Sequence, residues 1–171
     1  MKWINHKILT GVTVYAITND IGFSIVAALG SVFPDFIEGM GPIEKGQQYS
    51  IPKGHRKYSH WFIPYVIAVL FSFFYASHFF AGIPGSRELF TLLLQRKIPI
   101  FPILSLFCLF FFLGCIFHIL EDAICGKVPL FNPMKKEFGI KLFYVGSLTE
   151  YTVTFSCVII VIILKLTMSG E

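Results

Sequence analysis

The chain has 171 residues, of which 55% are hydrophobic and 14% are charged, with twenty phenylalanines and a formal net charge of +4. In soluble globular domains roughly a quarter of all residues are charged. This composition therefore excludes an ordinary soluble enzyme and predicts an integral membrane protein. The length allows one membrane-embedded domain over residues 1–171, an all-α compact bundle of about four membrane segments, and the small net charge gives no support for nucleic acid as a direct partner.

The first apolar segment, residues 8–33, is long enough to cross a bilayer of about 30 Å but contains several polar residues and glycines. Asn19, Asp20 and Gly22 interrupt it near its centre and supply turn chemistry. The segment therefore either crosses once with a polar interruption or forms a re-entrant hairpin of two short helices. A hairpin would have arms of about 15 Å and a turn at mid-membrane depth.

The middle of the chain alternates polar and apolar stretches. Residues 34–60 are rich in glycine, proline and charge, which predicts a solvent-facing or interfacial loop after a helix-ending Pro34. Residues 61–80 form an apolar span with aromatic side chains at both ends, as at membrane interfaces. Residues 83–98 are predicted to be a polar connection.

The most apolar stretch, residues 100–120, ends in ionisable groups. His118 and Asp122 are four residues apart, so a helix places both on one face, where they could bind a divalent cation. The simpler alternative is a helix end at the membrane edge whose polar side chains reach water. After a charged loop over residues 125–146, the last span is predicted at 147–166, with Ser147 as N-cap and Glu150 at its third position.

Counting the predicted membrane crossings along the chain places most ionisable residues on one membrane face. His78 instead lies near the opposite end of the second span. Basic residues are more numerous on the shared face, which the positive-inside rule makes cytoplasmic. That face carries Lys45, Lys53, Arg56, Lys57, Lys127, Lys135, Lys136 and Lys141, against Arg87, Arg96, Lys97 and Lys165 opposite.

These polar residues occur in an order that resembles a known family, the YdjM-like inner-membrane proteins, described as metal-dependent hydrolases. The matching elements are His6, Pro34-Asp35, His55-Arg56-Lys57-Tyr58-Ser59-His60, His118-Ile119-Leu120-Glu121-Asp122, Val128-Pro129-Leu130-Phe131-Asn132-Pro133 and Gly146-Ser147-Leu148-Thr149-Glu150. The likeness covers nearly the whole chain. It departs at Ile37, where the family often has a second aspartate, and at Ser59, which replaces a threonine.

The resemblance implies a metal site at the cytoplasmic edge of the membrane and favours the hairpin, because only a hairpin brings His6 to the face that holds the other ligands. Six residues are the predicted ligands: His6, Asp35, His55, His60, His118 and Asp122. Six exceed the four ligands of one tetrahedral ion, so one or two ions are expected. Zinc is the first choice because the set is rich in nitrogen, and manganese is the second.

The expected function is hydrolysis by a metal-activated water, with Glu121 or Glu150 as the catalytic base. Arg56, Lys57 and Lys127 would bind a phosphate-bearing substrate, such as a phospholipid or a lipid-linked phosphate among the surrounding membrane lipids. The competing hypothesis is a non-catalytic membrane protein, whose structural metal site ties loops to helices while its basic face recruits a cytoplasmic partner or acidic lipid.

Overall fold

The computed structural model describes residues 1–38, 58–129, 131 and 137–168. Within these residues the chain is helical and has no strand, which confirms the predicted all-α class for this part of the chain. Two helices, α6 and α7, are long and apolar enough to cross a membrane. The helices are α1 (Trp3–Thr18), α2 (Ile21–Gly30), α3 (Phe33–Ile37), α4 (Phe62–Ser77), α5 (Ser86–Leu94), α6 (Ile100–Cys125) and α7 (Leu148–Met168).

The first apolar segment folds back on itself as a helical hairpin. Asn19 ends α1 in the left-handed conformation, with a φ of 56°, which an asparagine tolerates better than most residues. Asp20 then caps α2, because its carboxylate accepts a hydrogen bond from the backbone N–H of Phe23 at 3.0 Å. The two arms pack closely along Gly11, whose Cα faces Ala28 of the returning helix.

The predicted arm length of about 15 Å fits the ten residues of α2 but is wrong for α1. The first arm, α1, has 16 residues and is about 24 Å long, because Thr10, Gly11 and Thr13 all remain inside the helix. The turn also lies at one end of the bundle instead of halfway along it. Asp20 accepts a hydrogen bond from the backbone N–H of Ser86 at 2.7 Å, and Asn19 accepts one from Lys165 near the end of α7 at 3.0 Å.

Two further elements differ from the sequence prediction. Residues 83–98 were expected to be a polar connection, but they contain α5, whose Leu89 is fully buried in the core shared by α2, α4 and α6. Pro34 was expected to end a helix and instead lies in the first turn of α3. Proline fits there because the first turn of a helix needs no backbone N–H donor.

Helices α2 and α6 cross at two glycines, and this crossing positions the polar end of α6. A Cβ on Gly114 would lie 2.0 Å from the carbonyl oxygen of Ala27, and one on Gly30 would lie 2.0 Å from that of Phe111. Such backbone contact is how helices associate in lipid, where the hydrophobic effect contributes little. The close approach brings His118, one turn beyond Gly114, beside Ser31.

Candidate metal centre

Four buried side chains from three separate parts of the chain converge at one end of the bundle. They are Asp35 of α3, His60 just before α4, and His118 and Asp122 of α6. One potential ligand atom from each lies within 4.8 Å of the other three. Two imidazoles and two carboxylates at this separation form a chemically suitable site for a divalent cation.

The i, i+4 pair on α6 supplies half of this cluster, as its spacing predicts. Nε2 of His118 lies 3.9 Å from Oδ2 of Asp122. The other ring nitrogen of His118, Nδ1, donates to the carbonyl oxygen of Ser31 at 2.6 Å. This hydrogen bond fixes the tautomer, so that the lone pair of Nε2 faces the cluster, which is the usual arrangement of a histidine ligand.

His60 is oriented in the same way from the opposite side. Its Nδ1 lies 2.8 Å from the hydroxyl oxygen of Ser59, which in turn hydrogen-bonds to Glu38. Its Nε2 lies 3.1 Å from Nε2 of His118 and 3.5 Å from both Asp35 and Asp122. Burial disfavours the charged imidazolium, but the carboxylates of Asp122, Asp35 and Glu38 outweigh this effect and raise the pKa of His60 to about 10, so a cation that binds Nε2 must displace a proton.

Asp35 presents one oxygen to the cluster and uses the other to anchor itself. Oδ2 accepts a hydrogen bond from the indole Nε1–H of Trp3 at 3.0 Å. Oδ1 lies 3.5 Å from Nε2 of both His60 and His118. The contact with Trp3 also shows that the hairpin brings the start of α1 to the same end as α3.

His6 adjoins the cluster as the hairpin model predicted, although it is not one of the four converging residues. Its ring lies against that of His118, with 4.1 Å between the ring centroids, and its Nε2 is 3.4 Å from Oδ1 of Asp122. Its Nδ1 lies 2.5 Å from Oε2 of Glu121. The same oxygen of Asp122 is also 2.5 Å from the amino group of Met1.

Two buried polar atoms indicate that the residues present fit a metal ion. Among the described residues, Nε2 of His6 and Oδ1 of Asp35 have no hydrogen-bond partner. A buried polar atom without a partner is costly, and both atoms point towards the other ligand groups. A cation bound among these side chains would satisfy them.

Both glutamates predicted as bases are buried at this end of the bundle. Glu121 accepts from the hydroxyl of Thr10 at 2.9 Å and contacts His6 through its other oxygen. Glu150 accepts from the backbone N–H groups of Lys2 and Gly146 and from the side chain of Asn5. Glu150 therefore ties the start of α7 to the start of α1, whereas Glu121 contacts a predicted ligand.

The remaining predicted residues are distributed as follows. His55, Arg56 and Lys57 lie outside the described residues, so their predicted roles stay predictions. Lys127 is exposed just beyond the end of α6. His78 is exposed at the end of α4, away from the cluster, as expected.

The sequence did not reveal three supporting contacts of the site: the indole of Trp3 with Asp35, the carbonyl of Ser31 with His118 and the hydroxyl of Thr10 with Glu121. A backbone carbonyl has no residue-specific pattern, so no motif could have identified Ser31. Thr10 lies four residues after His6, on the same face of α1, and this spacing is a signal that could have linked it to the site.

Comparison with curated proteins gave no match, and neither did comparison with solved structures. The model of one family, described as YdjM inner membrane protein, matches residues 1–170. The match includes all four residues of the buried cluster and the adjoining His6. The chain therefore belongs to the YdjM inner membrane protein family.

Proposed function

We propose that this protein is a membrane-bound, metal-dependent hydrolase that acts on a phosphate-bearing lipid or lipid-linked substrate. The observation that carries the proposal is the convergence of Asp35, His60, His118 and Asp122 in a buried position. Ionisable side chains are rare within apolar bundles and usually serve a function there.

The four converging residues would hold the ion, with His6 as an adjacent fifth group and His55 as a further candidate. Zinc is proposed first and manganese second, because the set combines imidazoles with carboxylates. A divalent cation with an open coordination position would supply an activated water, because it lowers the pKa of bound water towards 7.

The chain's own residues would orient the ligands and accept the proton. Ser31, Ser59 and Trp3 hold His118, His60 and Asp35 in place through the hydrogen bonds described above. Of the two proposed bases, Glu121 is nearer to the ligands because it contacts His6 directly. Glu150 is engaged by two backbone N–H groups and an amide, which favours an anchoring role.

The membrane position supports a lipid substrate and a cytoplasmic site. The family is one of inner membrane proteins, and the cluster lies at the end of α6, one of the two helices able to cross a membrane. Lys127 is exposed beside this end, and Arg56 and Lys57 are proposed to join it in binding phosphate. The proposed cytoplasmic position is supported by the sequence, which predicts more basic residues on this side of the membrane than on the other, as the positive-inside rule requires.

The test combines metal analysis with turnover. Purified protein loaded with zinc or manganese should retain a stoichiometric ion and release product from a panel of phospholipids and lipid-linked phosphates. The double variant His118→Ala, Asp122→Ala should lose both the ion and the activity. The exposed variant Glu88→Gln, far from the cluster, should keep both. Wild-type protein without bound ion after loading would contradict the proposal.

A structural metal site is the second candidate function, and one observation favours it. All four converging residues are buried and could fill the coordination sphere of a tetrahedral ion, as structural zinc sites do. Cobalt substitution distinguishes the two functions, because only an ion with an open position changes its visible spectrum when azide is added. An unchanged spectrum would favour a non-catalytic protein that recruits a partner or acidic lipid.

A further inference from the structure

The segment that joins α6 to α7 exposes large apolar side chains at every second position. Four of them form what we call the apolar strip: Phe138, Ile140, Leu142 and Tyr144, with exposed fractions of 56%, 61%, 66% and 85%. Phe143, which lies between the last two of them, is buried against Met1 and Cys125, whereas Lys141 is exposed and has a left-handed backbone with a φ of 56°.

The strip is fixed to the end of α6 by its own backbone. The N–H groups of Ile140 and Leu142 donate to the carbonyl oxygens of Ala123 and Ile124 at 2.8 and 2.9 Å. Gly139 allows this approach, because a Cβ there would overlap the carbonyl of Gly126. Ala123 directly follows Asp122, so the strip is hydrogen-bonded to the residue next to a proposed metal ligand.

The surroundings of the strip indicate which environment its exposed side chains contact. It connects the two helices that are long and apolar enough to cross a membrane, so both of its ends must lie at the same membrane surface. It continues into Leu148, which is 82% exposed at the start of the largely exposed α7. The exposed cations Lys127 and Lys141 lie beside it. Apolar and aromatic side chains flanked by lysines are characteristic of segments at the boundary between headgroups and acyl chains.

We propose that the apolar strip is embedded in the phospholipid leaflet at the cluster end of the bundle, with its side chains among the upper acyl carbons. Lys127 and Lys141 then lie at the level of the headgroup phosphates. The chain would thus be held in the leaflet by an interfacial segment as well as by its helices.

One consequence rests on the proposed hydrolase function. Because the strip is hydrogen-bonded to the last turn of α6, embedding it sets the depth of Asp122 and the other ligands close to the headgroups. The phosphate ester of a membrane lipid could then reach the site without leaving the leaflet. This favours a lipid headgroup over a free water-soluble phosphate as the substrate class.

The experiment measures the depth of the strip in a bilayer. Cys108 and Cys157 are replaced by alanine, and the buried Cys115 and Cys125 are kept. Nitroxide labels are then placed by Ile140→Cys, Leu142→Cys and the control Glu137→Cys, which is exposed at the start of the segment. The proteins are reconstituted into vesicles of phosphatidylethanolamine and phosphatidylglycerol. Collision rates with oxygen, which concentrates in acyl chains, are compared with those of a water-soluble nickel chelate.

We expect the ratio of oxygen to nickel collisions to be several-fold higher at 140 and 142 than at 137. Equal ratios at all three positions would place the strip in water and overturn the proposal. Low collision rates with both reagents at 140 and 142 would show a protein contact, such as a second copy, and would also overturn it. Metal content is measured on the same samples. If the labels at 140 and 142 lie in the bilayer but no metal is bound, the proposal for the strip stands and the proposed hydrolase function is rejected.

Discussion

Glu121 has both carboxylate oxygens engaged, one by the ring of His6 and the other by the hydroxyl of Thr10. A carboxylate only accepts, so the Nδ1–H of His6 donates to it and Nε2 is left to face Asp122. Carboxylate–histidine pairs of this kind orient metal ligands and raise their basicity. The geometry therefore predicts that Glu121 positions His6, and experiment must separate this role from its proposed role as base.

We expect Glu121→Gln and Glu121→Ala to weaken metal binding by about 10–100-fold, the usual effect of losing such a partner. Chelator competition titrations would measure the affinity, with Glu88→Gln as the exposed control. If Glu121 acts instead as the catalytic base, Glu121→Gln would bind metal as tightly as wild type and lose only turnover.

Trp3 offers a second test of ligand orientation, because its indole donates to Asp35. Trp3→Phe keeps an aromatic ring and removes only this donor, so metal affinity should fall by about tenfold while the fold persists. Trp61→Phe is the matched control, since its indole donates to the carbonyl of Phe131, which is not a ligand. Equal affinities in the two variants would show that the hydrogen bond to Asp35 has no effect on the ion.

The sequence predicted which side chains could form the site better than how they are held. His118 and Asp122 were predicted from helical spacing, and Asp35, His60 and His6 from the resemblance to the family. The supporting contacts come from residues far apart in sequence, such as Ser31 with His118, and depend on how the helices pack. A spacing rule within one element cannot reveal such contacts.

At the scale of elements, the crossing of α2 and α6 sets the geometry of the cluster. Gly114→Ala would place a methyl group against the carbonyl of Ala27, so the two helices must separate. We expect a loss of about 1–3 kcal/mol in stability, as for other overpacked sites, and weaker metal binding, because His118 follows one turn later.

Thermal unfolding in detergent and metal analysis would measure both effects of Gly114→Ala. Gly82→Ala provides the control, because a Cβ at Gly82 meets nothing within 4 Å. Unchanged melting and metal content in Gly114→Ala would mean that the helices adjust without moving the ligands.

Elements were predictable where apolar length alone defined them. Helices α6 and α7 fulfil that condition, and the structure extends α6 only five residues beyond the predicted end, to Cys125. Helix α5 was missed because Arg87 and Glu88 give its nine residues the composition of a polar loop. In the structure these residues form a helix that buries Leu89 in the core. Composition also could not choose between one crossing and a hairpin, because the capping by Asp20 and its bond to Ser86 decide it.

At the scale of the whole molecule, the length of the hairpin predicts its depth in the membrane. Its first arm is about 24 Å long, and its turn contacts Ser86 and Lys165, which lie after α4 and near the end of α7. An interfacial turn avoids the cost of placing an ionised aspartate at the bilayer centre, about 2.5–3.5 kcal/mol on insertion scales. We therefore expect the turn at the membrane surface opposite the cluster.

Single cysteines at the exposed positions Asn19, Arg87 and Lys127, in the Cys108→Ala, Cys157→Ala background, test this topology with a membrane-impermeant maleimide. Asn19→Cys and Arg87→Cys should be labelled in intact spheroplasts. Lys127→Cys should be labelled only in inverted vesicles, because the basic end is expected in the cytoplasm. Labelling of Lys127→Cys from outside would reverse the orientation. Labelling of Asn19→Cys and Arg87→Cys from opposite sides would be incompatible with the contact between Asp20 and Ser86, and with the hairpin that brings His6 to the ligands.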